Sequence, residues 1–132
     1  MKFREFETSE GNKVLAGKSA ENNEKLIEQI KEDELVFHTK NPGSPFCNIK
    51  SSFRNISKKE LKETAIFCAR YSQDWRDNQR DVTVHYFLGK DVYKLKSMKL
   101  GTFGVKNTKE IKIKRKEILN FLEEENETPN TN

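Results

Sequence analysis

The sequence has no apolar run approaching the roughly 18 residues that a membrane span requires. Its opening, MKFREFETSE, is charged from the second residue and lacks the apolar stretch of a signal peptide. Cysteine is scarce. Cys47 and Cys68 lie far apart in apolar surroundings, which excludes a disulfide framework and reads as two buried thiols in a reducing, cytoplasmic setting. Histidine is equally rare, and His38 and His85 have no partners at ligand spacing, so neither a metal nor a cofactor is expected. The enzymatic templates are missing as well. There is no Walker loop and no Gly-x-Ser-x-Gly elbow, and Gly101-Thr102-Phe103-Gly104 lacks the spacing of a dinucleotide fingerprint. His38 and Ser44 could be imagined as base and nucleophile, but no acid is placed to orient the histidine. A histidine at a strand end is more often structural, so no catalysis is expected.

What the chain does have is charge and aromatic rings. Its 132 residues suit one domain, with 35% charged residues against 33% hydrophobic ones. Nine Phe, three Tyr and one Trp enlarge a core that the aliphatic content alone would leave thin. The net charge of +4 hides an uneven distribution: residues 84–116 carry ten Lys/Arg against two Asp/Glu, whereas residues from 117 onward carry five glutamates and no base. Such a block reads either as a surface for a polyanion or as a lysine-rich solvated face, and charge alone does not separate the two.

Along the chain, Phe3–Glu7 and Lys13–Ala16 flank the turn signal Glu10-Gly11-Asn12, which predicts a hairpin. Ser19 is the expected N-cap of a helix with Ala20, Asn23, Leu26, Ile27 and Ile30 on one face. Two extended runs, Leu35–His38 and Phe46–Ile49, enclose Asn41-Pro42-Gly43-Ser44-Pro45. Two prolines stiffen this loop and Gly43 frees the position that needs positive φ, so core strands present a rigid polar turn. Ser57 and Glu60 form a capping box for a helix carrying Leu61, Ala65, Phe67, Cys68 and Tyr71. Ser72–Arg80 reads as a polar loop. Its Trp75 is either a stacking platform or, the favoured reading, a lid on its own helix. Asp81–Phe87 is a strand with Val82, Val84 and Tyr86 on one face and Thr83, His85 and Phe87 on the other. Val92–Lys94 is extended, Glu110–Lys114 is a last strand with Ile111 and Ile113 inward, and Ile118, Leu119 and Leu122 mark a short C-terminal helix. The expected fold is α+β: a mainly antiparallel sheet with two helices packed on it plus the short C-terminal helix, as one domain over 1–122. Residues 123–132 are expected to be a disordered acidic tail.

Lys90, Lys94, Lys96, Lys99, Lys106 and Lys109 interleave with Tyr93, Met98 and Phe103. Lysines neutralise phosphates and release counterions, and neighbouring rings receive unstacked bases. The Gly43-Ser44 turn adds backbone N–H groups and a hydroxyl.

Several segments in order resemble a known family. Phe3-Arg4-Glu5-Phe6 with Thr8-Ser9-x-Gly11, then Ala16-Gly17-Lys18-Ser19-Ala20-x-x-Asn23, are similar to the start of the NFACT-R domain. Phe37-His38-Thr39 leading to Pro42-Gly43-Ser44, Ala69-Arg70-Tyr71-Ser72, Val82-Thr83-Val84, and Lys94 followed by Lys99-Leu100-Gly101 continue the likeness to about residue 115. Val36 stands where the family often has Trp, and Pro45 where it often has His, which removes a hydrogen-bonding side chain from the loop. The resemblance implies a standalone RNA-binding module related to the one at the C-terminal end of RqcH-type ribosome-quality-control factors. Its partner would be tRNA or rRNA, and possibly the ribosome, with no membrane. The implied contacts are Lys94, Lys96 and Lys99 to phosphates and Gly43 and Ser44 as loop donors. His38 would shape the loop or touch RNA, and Arg70 and Arg76 would flank the site. The rival expectations are an enzyme or accessory subunit in tRNA modification, and a protein-interaction module docking on the ribosome.

Overall fold

In the computed structural model, which describes residues 2–127, a six-stranded sheet runs through the molecule and is covered on both faces. Its strands are β1 (Arg4–Glu7), β2 (Lys13–Ala16), β3 (Glu34–Thr39), β4 (Cys47–Ser52), β5 (Val82–Leu88) and β8 (Lys109–Ile113), in the spatial order β1-β2-β4-β3-β5-β8. Every pairing is antiparallel. The fold class is therefore the α+β architecture read from the sequence.

The alternation of side chains along each strand divides the core in two. One face carries Val14, Ala16, Phe37, Cys47, Ile49, Val82, Val84 and Ile113, and packs against α2 (Lys58–Arg70) and α4 (Arg115–Glu127). The other carries Val36, Phe46 and Phe87 and is closed by α1 (Ala20–Glu28) and by a small ribbon of β6 (Val92–Tyr93) and β7 (Gly104–Val105). Covering both faces explains why Leu35, Val36 and Phe37 read as a continuous apolar run rather than an alternating one.

The caps expected from the sequence are present. Ser19 Oγ accepts from the backbone N–H of Asn22, and Ser57 and Glu60 exchange both bonds of a capping box. Glu60 also does something that local sequence did not announce. Fully buried, its Oε2 accepts from Thr8 Oγ1 and from Asn12 Nδ2, each at 2.6 Å, which fastens the β1–β2 hairpin to α2. Burial pushes the Glu60 carboxyl up, but these bonds together with the Ser57 N–H outweigh it and hold the group below its usual range.

Three expectations need correction. Ser72–Arg80 is not a loop, because Gln73–Asn78 forms a further helix, α3, capped by Ser72. Its six residues show no apolar period to betray it; burial of Trp75, 5% exposed in the main core, holds it and removes the ring as an exposed stacking platform. The extended run expected over Val92–Lys94 stops one residue short, since β6 ends at Tyr93 and the chain proceeds through turns to Gly104. The acidic stretch does not begin as a disordered tail at residue 123, because α4 runs to Glu127. Phe121 and Leu122 pack on the core, and Glu125 meets Arg70 at 3.1 Å, so packing carries the helix past the point where apolar content fades. Residues 128–132 of that expectation lie outside the described residues.

Candidate nucleic-acid interface

The Pro42–Pro45 turn is held by its own hydrogen bonds. Ser44 Oγ accepts from the Thr39 N–H at 3.0 Å, Thr39 Oγ1 donates to the Asn41 carbonyl at 2.6 Å, and the Gln73 N–H donates to the Gly43 carbonyl at 2.7 Å. Gly43 sits at φ +91°, and a Cβ there would stand 2.8 Å from Gln73 Cβ, so glycine is required both for the backbone and for the approach of α3. His38 completes the brace. Its Nδ1–H donates to the Thr39 carbonyl at 2.8 Å, its ring lies 4.5 Å from that of Phe46, and the Ser44 backbone adjoins it. Burial, reinforced by the nearby His85, lowers the His38 pKa despite the two backbone bonds, so the imidazole is neutral at physiological pH. Its place in the structure is that of a residue that shapes the loop.

The second loop, Lys94–Phe103, lies against the N-terminal end of α1. Gly101 makes the contact: at φ +79° its added Cβ would meet Ala20 Cβ at 2.7 Å. Lys94 was expected to contact phosphate, but its ammonium turns inward. It donates to Glu24 Oε2 at 2.8 Å, to the Lys99 carbonyl at 2.6 Å and to the Thr102 carbonyl at 2.8 Å, while Glu24 Oε2 also accepts the Gly101 N–H at 2.6 Å. The ammonium and that N–H hold the Glu24 carboxyl below its ordinary pKa. Lys94 thus ties the loop to itself and to α1. Lys96 and Lys99 are exposed on the same loop, beside Leu95 and Leu100 at 54% and 62% exposure.

These two loops meet. Gly43 and Ser44 border one groove of about 520 Å³ together with Gly101, Thr102 and Phe103, and its interior is lined by His38, Phe46, His85 and Phe87. His85 stands directly opposite His38 in the β3–β5 register and donates from Nε2 to Glu110 Oε2 at 2.8 Å. On the other side of the Gly43-Ser44 turn lies a smaller concavity of about 300 Å³, rimmed by Arg4, Lys18 and Arg76. Among the described residues no carboxylate lines either hollow. The guanidinium of Arg4 lies 4.0 Å over the Tyr71 ring, and Arg76 donates to the Tyr71 carbonyl and to Gln73 Oε1. Those partners are neutral, and among the described residues neither guanidinium is in an ion pair.

Of the residues expected to form the site, Gly43, Ser44, His38 and Arg76 come together. Lys96 and Lys99 ride on the adjoining loop without lining a hollow. Arg70 is turned away: its Nε donates to Glu125 Oε1 and its guanidinium lies 4.2 Å over Tyr71. Arg4, Lys18 and His85 were missed as site residues, although Arg4 and Lys18 fall inside the two N-terminal segments that carry the family likeness.

The sequence profile described as the NFACT protein RNA-binding domain matches residues 2–107. The chain belongs to the NFACT-R family. A curated relative, the archaeal Rqc2 homologue aRqcH of Methanocaldococcus jannaschii, is 36% identical over 64 residues, which is 48% of this chain and 10% of that protein. Among solved structures, the C-terminal part of the fibronectin/fibrinogen-binding protein of Streptococcus suis superposes with a TM-score of 0.78 at 21% identity, covering 91% of this chain and 49% of that one. The latter likeness concerns the fold. This NFACT-R chain spans a small fraction of the archaeal relative and about half of the streptococcal structure. Among the described residues no helix is long and apolar enough to cross a membrane, and among the same residues no group of three or more His, Cys, Asp or Glu is placed to hold a metal ion.

Proposed function

We propose that this NFACT-R chain binds structured RNA, tRNA or rRNA, and serves translation in ribosome-associated quality control without catalysis of its own. One observation carries the reading: two adjoining hollows, free of carboxylates among the described residues, converge on the rigid Gly43-Ser44 turn beneath a lysine-bearing loop. A surface that keeps its acids out and, among the described residues, leaves Arg4, Lys18 and Arg76 without an ion pair is electrostatically matched to a polyanion. The family description and the Rqc2-related archaeal protein support RNA and the ribosome as the context. Burial of both thiols and the bond of His38 to the turn support a reading without a nucleophile or general base among them.

Titration of tRNA and of rRNA fragments against the protein at several salt concentrations tests this. Binding should weaken steeply with salt, as release of several counterions requires. Sequencing the RNA that co-purifies with the native protein then distinguishes tRNA from rRNA. An affinity that does not respond to salt refutes the electrostatic argument.

A further inference from the structure

We infer that the two hollows act as one clamp for a single unpaired nucleotide, the base entering the groove beside Phe46 and Phe103 and its phosphate resting among Arg4, Lys18 and Arg76. The inference rests on the RNA-binding reading and specifies what part of an RNA the site takes.

The two hollows differ in chemistry but share a wall. Ala20, Asn23, Gly43 and Ser44 border both, so a ligand crossing the Gly43-Ser44 turn touches both at once. The larger one is aromatic inside and polar at its rim. Phe103 stands edge-on to Phe46 with centroids 5.4 Å apart, Phe87 contributes apolar surface, and the exposed Thr102 and Thr108 provide hydroxyls at the opening. His85 adds a polar ring edge, its Nε2 lying 2.8 Å from Glu110 Oε2. Apolar walls with a few hydrogen-bonding groups at the mouth suit a nucleobase, whose faces are apolar and whose edges are polar. At about 520 Å³ the groove is roomy enough for one.

The smaller hollow is the reverse. It has three cationic side chains, Ser19 and Ser44 on its wall, and no aromatic face open for stacking, since the Tyr71 ring is overlaid by both Arg4 and Arg70. A phosphate diester fits that chemistry and a base does not. A base can reach the aromatic groove only when it is out of the helical stack. The target is therefore a bulge, loop or end, not an uninterrupted duplex.

The experiment uses the whole chain and three RNA hairpins of one stem sequence: fully paired, with one bulged uridine, and with one bulged abasic residue. Fluorescence anisotropy should show the bulged uridine binding about tenfold tighter than the paired stem, the gain that stacking one base supplies, and the abasic bulge losing it. Phe103→Leu, which keeps apolar volume but removes the ring, should bring the ratio of bulged to paired affinity to about one. Arg76→Ala should weaken binding to all three. Wild-type protein supplies a readout that needs no variant: 2-aminopurine placed in the bulge should change emission on binding, and not when placed within the stem. Equal affinity for the bulged and paired stems overturns the clamp and leaves RNA binding standing. Failure to bind any of the three overturns both.

Discussion

Replacing Lys94 by alanine separates a lysine that holds the interface together from one that touches RNA. Its ammonium is bonded to one carboxylate and two carbonyls and lies 4.7 Å from the Phe103 ring. Removing it leaves Glu24 with only the Gly101 N–H and releases the ends of the 94–103 loop from each other. These bonds are partly solvated, the two side chains being 33% and 24% exposed, so their loss costs about 1–2 kcal/mol of local order. That cost falls on a loop packed against α1, outside the six-stranded sheet, so global unfolding should move little. RNA affinity should fall about three- to tenfold because the wall of the groove is no longer fixed. The slope of log affinity against log salt should not change, because no phosphate contact has been removed. Arg76→Ala should behave oppositely, lowering the slope by about 0.7 on a single-stranded target for one lost phosphate contact. Affinity measured between roughly 50 and 200 mM salt resolves the two patterns. A Lys94→Ala variant whose slope drops as much as that of Arg76→Ala would show the ammonium on RNA in solution and refute the assignment.

Three further outcomes are expected. Gly43→Ala should destabilise the protein by about 1–3 kcal/mol in urea denaturation and weaken RNA binding, since alanine is strained at φ +91° and its methyl group presses on Gln73. Glu60→Gln should cost about 1–2 kcal/mol, because one amide oxygen cannot serve both the Thr8 and Asn12 donors on one side and the Ser57 N–H on the other. The folded-state pKa of Glu60 is depressed, so its contribution is present above the unfolded carboxylate pKa and is lost as pH falls through the folded one. The wild type should therefore lose stability on acidification below the ordinary carboxylate range, and the Gln variant should show a shallower acid limb in pH-dependent melting. Cys47 and Cys68 should both resist a thiol reagent in the native state and react together in denaturant. Burial, aided by the neighbouring Cys68, pushes the Cys47 thiol well up, and both side chains are sealed from solvent.

Elements whose cause is local could be read along the chain. Period-two strands, the Ser19 cap, the Ser57–Glu60 box and the Pro-Gly-Ser-Pro turn each follow from residues within a few positions of one another, and each is present in the structure. The short α3 escaped because six residues without an apolar repeat carry no periodic signal, and the length of α4 because its last turns depend on contacts with α2.

The sequence by itself determined the antiparallel α+β fold, the rigid turn, the basic block and membership of an RNA-binding family. Only the tertiary structure decided which of the cations line a hollow. Lys94 and Glu24 are 70 positions apart, and Arg70 and Glu125 are 55 apart, so no local pattern could show that these charges are taken up inside the molecule. For the same reason none could show that Arg4 and Lys18, near the start of the chain, close around Arg76. A charge is available to a partner only when chain closure has left it without one of its own, and that is settled by contacts distant in sequence.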